Sequence, residues 1–209
     1  MKRFFTLILG CLVAATSLAQ TAEEIVARMD EVMSQTQKQN AGVRMTMDMK
    51  MPLIGTISST AYTLGEKMRV EMSKGGNKYI AWMDETTSWD YDLEKNEVVI
   101  SKRKSQEKSE AEENAELFDG ITEGYSVSIK KQTADAWYIL CKKLKSNPEK
   151  DDPKTMDLVV SKATYMPLSL KATVSVVTIT LSNLGYGVTE DQVTFNPADY
   201  PGVKIKDER

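Results

Sequence analysis

The sequence predicts an α+β protein that is predominantly antiparallel β, with about eleven strands preceded by one capped helix. Three observations carry this expectation. Residues 43–51 read Val-Arg-Met-Thr-Met-Asp-Met-Lys-Met, a strict apolar/polar alternation of the kind that marks a strand with two unlike faces. Strand-like runs recur at a spacing of 8–12 residues with turn residues between them, as in a meander. Thr21-Ala22-Glu23-Glu24 has the form of a capping box placed before an amphipathic run.

The helix comes first in chain order after a leader. Lys2 and Arg3 precede the apolar run Phe4 to Ala15, and Ser17-Leu18-Ala19 supplies small residues for cleavage before Gln20, so residues 1–19 read as a signal peptide. The run is too short for a permanent membrane anchor. Ile8-Leu9-Gly10-Cys11 loosely resembles a lipobox, but lipidation at Cys11 would leave Leu12 to Leu18 dangling on the mature chain. The expected product is one exported domain over residues 20–209. Within it Ile25, Met29, Val32 and Met33 recur at helical spacing to about Gln37, a stripe that must cover something.

The strands follow. In the first, Val43, Met45, Met47, Met49 and Met51 share one face, and Arg44, Thr46, Asp48 and Lys50 the other. Pro52 and Gly55 mark a turn, and residues 56–64 are rich in Thr, Ser and Tyr. Met68, Val70 and Met72 then alternate with Lys67, Arg69 and Glu71, extending the methionine face. Runs at 79–83, 88–93 and 98–102 complete the first group, with Trp89 and Tyr91 on a common face. Residues 103–120 break the pattern. They read as a short helix or loop that presses Leu117 and Phe118 onto the sheet, or as a solvated charged excursion. Strands resume at 125–131, 136–144, 156–161, 167–174 and 176–182, where Val177, Ile179 and Leu181 alternate with threonine and serine. A last short strand is expected to end at Phe195-Asn196-Pro197, before a fold-back at Tyr200 to Val203 and a charged tail.

Composition excludes several functions. The chain has 27 basic and 30 acidic residues, a net charge of −3, without the concentrated basic face that nucleic acid requires. Lys102-Arg103-Lys104 is followed at once by Glu107, Glu110, Glu112 and Glu113. With Cys11 removed, Cys141 stands alone in the apolar run 137–141 and reads as a buried, inert thiol. There is no histidine, which removes His-based acid–base catalysis and the usual zinc sites. Gly75-Gly76-Asn77 reads as a hairpin turn, not a phosphate loop. No enzyme activity, metal or cofactor is expected.

A face rich in methionine is unbranched and polarisable, suited to varied apolar partners such as acyl chains; closed core packing is the other reading. One helix of about 17 residues is only about 25 Å long and cannot fill the apolar face of so large a sheet, which leaves room for a hollow.

Four stretches give the chain a resemblance to a known family. They are the leader with the helix Ala22 to Met33, the strand Met68-Arg69-Val70-Glu71, the strand Thr87-Ser88-Trp89-Asp90-Tyr91-Asp92 with Val98 to Ile100, and the stretch from Ala163-Thr164-Tyr165-Met166-Pro167-Leu168 through Val177 to Asn183 to the closing Phe195-to-Val203 segment. Together they resemble the LolA-like family of periplasmic lipoprotein carriers. The resemblance implies an incomplete, half β-barrel of about eleven strands with covering helices and an apolar cavity for acyl chains. It implies lipid contact by Met45, Met47, Met49, Met68, Val70, Met72, Trp89, Tyr91, Val177, Ile179 and Leu181, beneath a lid of Ile25, Met29, Val32, Met33, Leu117 and Phe118. It further implies acylated lipoproteins or lipids as partners, loading from an inner-membrane transporter and delivery to an outer-membrane acceptor, with the protein a monomer. Lipid binders and envelope sensors share this fold. Family members place an Arg-Pro pair before the apolar-Arg-apolar-Glu strand as a lid latch; here Leu64-Gly65-Glu66-Lys67 stands there, and Arg44 or Arg69 is the candidate substitute.

Overall fold

The computed structural model describes residues 20–103, 122–150 and 152–209. The expected signal peptide with Cys11, and the lid candidates Leu117 and Phe118, lie outside the described residues.

Helix α1 spans Ala22–Gln39. The Thr21 hydroxyl accepts from the Glu24 amide at 3.2 Å, and the Thr21 amide donates back to the Glu24 carboxylate at 2.9 Å, so two otherwise orphaned donors are satisfied. Glu23 and Glu24 in the first turn and Lys38 in the last oppose the helix dipole. Its apolar stripe is buried: Ala22, Ile25, Val26, Met29 and Met33. Val32 is only half-buried. After the helix, Gly42 turns the chain into the sheet with φ +74°; a Cβ there would lie 2.6 Å from the Thr63 carbonyl oxygen and 2.8 Å from Val188 Cβ. Both conformation and space demand glycine.

Among the described residues twelve strands form one open sheet: β1 (Val43–Met51), β2 (Gly55–Leu64), β3 (Lys67–Lys74), β4 (Asn77–Met83), β5 (Thr87–Asp92), β6 (Glu97–Lys102), β7 (Tyr125–Gln132), β8 (Ala136–Lys143), β9 (Thr155–Ser161), β10 (Pro167–Val174), β11 (Val177–Tyr186) and β12 (Lys204–Asp207). Their order is β12-β6-β5-β4-β3-β2-β1-β11-β10-β9-β8-β7. Every pairing is antiparallel except β12 with β6, which is parallel. Because β7 and β12 are edges and do not meet, this is an incomplete barrel of the α+β class.

The end of the chain differs from expectation. In place of a strand before Phe195 there is a one-turn helix α2 (Glu190–Val193) and a 3-10 turn at Pro197–Asp199. The Thr189 amide donates to the Gln192 side chain at 2.9 Å, a capping contact that favours a helical turn over extension. Strand β12 lies in the stretch expected to be a charged tail. All four of its residues are exposed, so no apolar alternation announces it, and its backbone pairing with β6 alone defines it.

Register decides which side chains share a face. Met45 pairs with Ala61, Ala61 with Val70 and Val70 with Ala81. In the other direction Met47 pairs with Leu181, Leu181 with Leu170, Leu170 with Leu158 and Leu158 with Ile139. Cross-strand partners point to the same side, so all these residues occupy one surface, the helix face. Helix α1 packs there: Ile25, Met29 and Met33 join Met45, Leu181, Leu170, Leu158, Ile139 and Cys141 in a single cluster. Each fully buried side chain of this kind contributes about 1.5–3 kcal/mol of transfer free energy.

The opposite surface, the tail face, carries Arg69, Trp82, Trp89 and Ile100, linked by the pairs Arg69–Trp82, Trp82–Trp89 and Trp89–Ile100. The segment after β11 folds over it. Phe195 lies 5.2 Å from Trp82 and 6.4 Å from Trp89, and Tyr200 lies 5.4 Å from Trp82 and 5.1 Å from Tyr91, centroid to centroid. The geometries are tilted or edge-on, the arrangements aromatic rings prefer. Asn96 fastens the end of this segment, donating from its side chain to the Gly202 carbonyl and accepting at its own carbonyl from the Lys204 amide.

Gly42→Ala is expected to destabilise the protein by about 2 kcal/mol or more through forced φ and steric overlap, read as a lower urea midpoint at unchanged slope. Burial pushes the Cys141 thiol up to about 11. Since the folded value is raised, its contribution to stability is complete below the unfolded value near 9 and is lost as pH rises through 11. The thiol should therefore resist a disulfide reagent at pH 8 in native protein and react on unfolding.

Candidate functional site

The helix face is not uniformly covered. Along β1 exposure grows from one end to the other: Val43 and Met45 are buried, whereas Met47, Met49 and Met51 are half-buried. Strand β3 repeats the gradient, with Met68 buried, Val70 half-buried and Met72 exposed. The α1 end of the face is thus filled core, and the far end opens.

On that open part a hollow of about 380 Å³ lies over β3 to β6, lined by Val70, Met72, Tyr79, Ala81, Asp90, Asp92, Lys95, Glu97 and Val99 among others. Its size falls within the range of about 300–1,000 Å³ common to small-molecule sites. The floor is apolar where β3 and β4 run side by side, through the pairs Met72–Tyr79 and Val70–Ala81. Toward β5 and β6 it turns acidic through the pairs Asp90–Val99 and Asp92–Glu97. Lys95 donates to the Asp92 carboxylate at 2.7 Å, and that hydrogen bond holds the Asp92 carboxyl below its ordinary value. Chemically the site offers an adaptable apolar trough with a charged border. It offers no nucleophile paired with a base, and the described residues hold no group of three or more metal-ligating side chains.

The structure sorts the sequence-expected residues into three groups. Met45 and Leu181 are buried in the core cluster under α1, with Met47 and Ile179 packed against it; Met68 is buried, and Met49 and Val177 are half-buried on the same face. Val70 and Met72 line the hollow. Trp89 is separated from all of these, because the register directs its side chain to the tail face, against Phe195; Tyr91 follows the same parity and packs on Tyr200, but it also borders the hollow. Both latch candidates are on that opposite surface too. Arg44 is exposed and lies across Gly185. Arg69 forms an ion pair with Glu71 and sits over the rings of Tyr62, at 5.5 Å, and Trp82, at 5.7 Å. Neither is placed to fasten α1, and Arg69 instead braces the tail. Ile25, Met29 and Met33, expected as a lid, are packed core members.

Tyr79, Ala81 and Val99 were not among the expected residues. The signal for the first two was present: a two-residue turn at Gly75-Gly76 makes 74 and 77 partners, and hence 72 and 79, 70 and 81.

No family model matches the chain, and no curated protein matches it. Solved structures do. LprF from Mycobacterium bovis superposes with a TM-score of 0.51 at 8% identity, over 82% of this chain and 97% of that one. A LolA superfamily protein from Nitrosomonas europaea matches at a TM-score of 0.30 and 11% identity, over 86% of this chain and 100% of the other. A putative outer membrane lipoprotein-sorting protein domain from Vibrio parahaemolyticus matches at 0.29 and 9%, over 84% and 97%. At these identities the likeness is one of fold, and the superposition with LprF carries it: the chain shares the architecture of LprF, an open half-barrel of the kind expected from its sequence.

The two-faced arrangement predicts a local effect. Trp82→Ala removes the ring that Phe195, Tyr200 and Arg69 share and is expected to cost about 3–5 kcal/mol. Hydrogen exchange under native conditions should show loss of protection first in 195–205, with the amides of α1 retaining theirs.

Proposed function

We propose that the protein is an exported carrier of acylated lipoproteins, which shields acyl chains on the helix face and delivers them toward the outer membrane. The observation that supports this reading is the hollow over β3 to β6, floored by Val70, Met72, Tyr79 and Ala81. An acyl chain asks for continuous apolar surface and few polar partners, and thioether and small aliphatic side chains accommodate chains of different shape. Asp90, Asp92 and Glu97 keep the border of the trough wetted, so that an apolar ligand settles over β3 and β4. Helix α1 stays in place in this reading, since Ile25 and Met29 have no exposed surface and moving them would uncover the core. An inner-membrane transporter that loads the carrier and an outer-membrane acceptor that unloads it belong to the same proposal.

The filled core under α1 favours a second reading, a lipid-binding or envelope-sensing module of this fold without shuttle activity. Transfer separates the two. A carrier moves a fluorescently acylated peptide from donor to acceptor vesicles; a module retains it.

Protein purified from a native periplasm is expected to carry lipid or acylated peptide, visible by native mass spectrometry. Val70→Trp and Ala81→Trp fill the trough. Loss of contact with two methylenes at about 0.8 kcal/mol each corresponds to roughly a tenfold drop in bound lipid, with the melting temperature retained. Bare protein from the wild-type periplasm would overturn the proposal.

A further inference from the structure

Three connections lie next to one another on one rim of the sheet, because β1 pairs with β11 and β10 with β9. They are the β1–β2 hairpin (52–54), the β10–β11 hairpin (175–176) and the β8–β9 loop (144–154). Apolar side chains stand out from all three. Leu53 is fully exposed at 108%, Val176 is exposed at 66%, Ile54 at 57% and Leu144 at 42%. Leu53 is held in a tight reversal with φ +67°, in which the Ile54 amide donates to the Pro52 carbonyl at 2.8 Å. A left-handed backbone conformation is costly for leucine, and solvent exposure offers no compensation.

Beside these tips lies a shallow hollow of about 570 Å³ lined by Lys143, Lys150, Lys154, Asp152 and the end of β10 at Val174 and Ser175. Asp152 accepts from the Asn147 side chain at 2.9 Å, and Lys143 donates to the Glu149 carbonyl. Lys150 and Lys154 are exposed. Across residues 50–56, 142–154 and 171–178 there are seven lysines against three acidic residues, in a chain whose total is 27 basic against 30 acidic. This stretch of the rim is therefore basic in an acidic protein, whereas the β5–β6 turn farther along it carries Asp92, Glu94 and Glu97.

We infer that this rim docks on an anionic phospholipid surface, with Leu53, Ile54 and Val176 entering the acyl boundary and Lys143, Lys150 and Lys154 meeting the phosphates. A bilayer fits these observations better than a protein partner does. The apolar side chains are points on separate hairpin tips and do not form a flat patch; a fluid interior accepts such points without shape complementarity, whereas a specific protein interface needs about 800 Å² per partner in close contact. Apolar anchors combined with a basic cluster are the pairing of signals that holds a protein reversibly at an anionic membrane. The inference goes beyond lipid carriage and does not require the trough over β3 and β4 to be occupied.

The test is co-sedimentation of the purified exported protein with phosphatidylglycerol/phosphatidylcholine vesicles and with pure phosphatidylcholine vesicles. Binding to the anionic vesicles that weakens with salt is expected. The double variant Leu53→Asp/Val176→Asp should lose about tenfold or more of this binding through lost apolar insertion, with unchanged circular dichroism. Lys150→Gln/Lys154→Gln should abolish the preference for anionic vesicles, at about fivefold per lysine at low salt. The Val70→Trp variant should bind vesicles normally, which separates failure of docking from failure of lipid carriage. No vesicle binding by the wild type, binding indifferent to the Leu53/Val176 substitutions, or a wild-type dimer abolished by Leu53→Asp in place of vesicle binding would each overturn the inference.

Discussion

The backbone pairing between neighbouring strands is the constraint from which the rest of this structure follows. A strand's side chains alternate strictly, so one residue of slippage would exchange the two surfaces of the sheet. From β6 through β2 to β1 the pairing runs without a shift, and this continuity keeps the methionines of β1 and β3 on one side and Arg69, Trp82 and Trp89 on the other. Each side then recruits its own cover. Helix α1 is drawn onto the aliphatic surface of β1 and β7–β11, and the segment carrying Phe195 and Tyr200 onto the aromatic surface of β3–β6. The two covers are on opposite surfaces and largely over different strands. One part of the helix face is left over, and the trough occupies it.

Much of this architecture was legible in the residues. The alternation in β1, β3 and β11 and the Thr21–Glu24 box gave elements close to those observed, because the signals are local and tertiary packing reinforces them. The helix at Glu190–Val193 and strand β12 were not legible. The first is a single turn fixed by one side chain, and the second consists of exposed residues whose pairing partner lies about a hundred positions away. At the site, Val70 and Met72 were readable from their alternation with charges. Trp89 was misplaced because an aromatic residue on a strand shows that a face is buried without showing which face. Parity can be carried from β3 to β5 only through two turns, and Asp84-Glu85-Thr86 gives a less regular count than Gly75-Gly76. Arg69 illustrates the same difficulty, since its place among apolar neighbours suited a helix latch and a tail brace equally.

The fold and the chemistry of this chain bear on function in different ways. The fold, shared with LprF at 8% identity, supplies an open sheet with one surface free to be covered. Function depends on how completely that surface is covered, and here the answer varies along the strands. Under α1 the packing is complete, with Ile25 and Met29 wholly enclosed; over β3 and β4 Met72 and Tyr79 reach solvent. This gradient separates a stable body from an adaptable surface within one sheet.

The hydrogen bonding of β1 to β11 has a kinetic side. Those strands lie more than a hundred residues apart, and the stripe of α1 finds its partners on β8–β11, so the body of the protein cannot consolidate until most of the polypeptide is available. Contacts so distant in sequence slow the search for the native state. A nascent chain of this topology therefore stays pliable until nearly all of it has been synthesised.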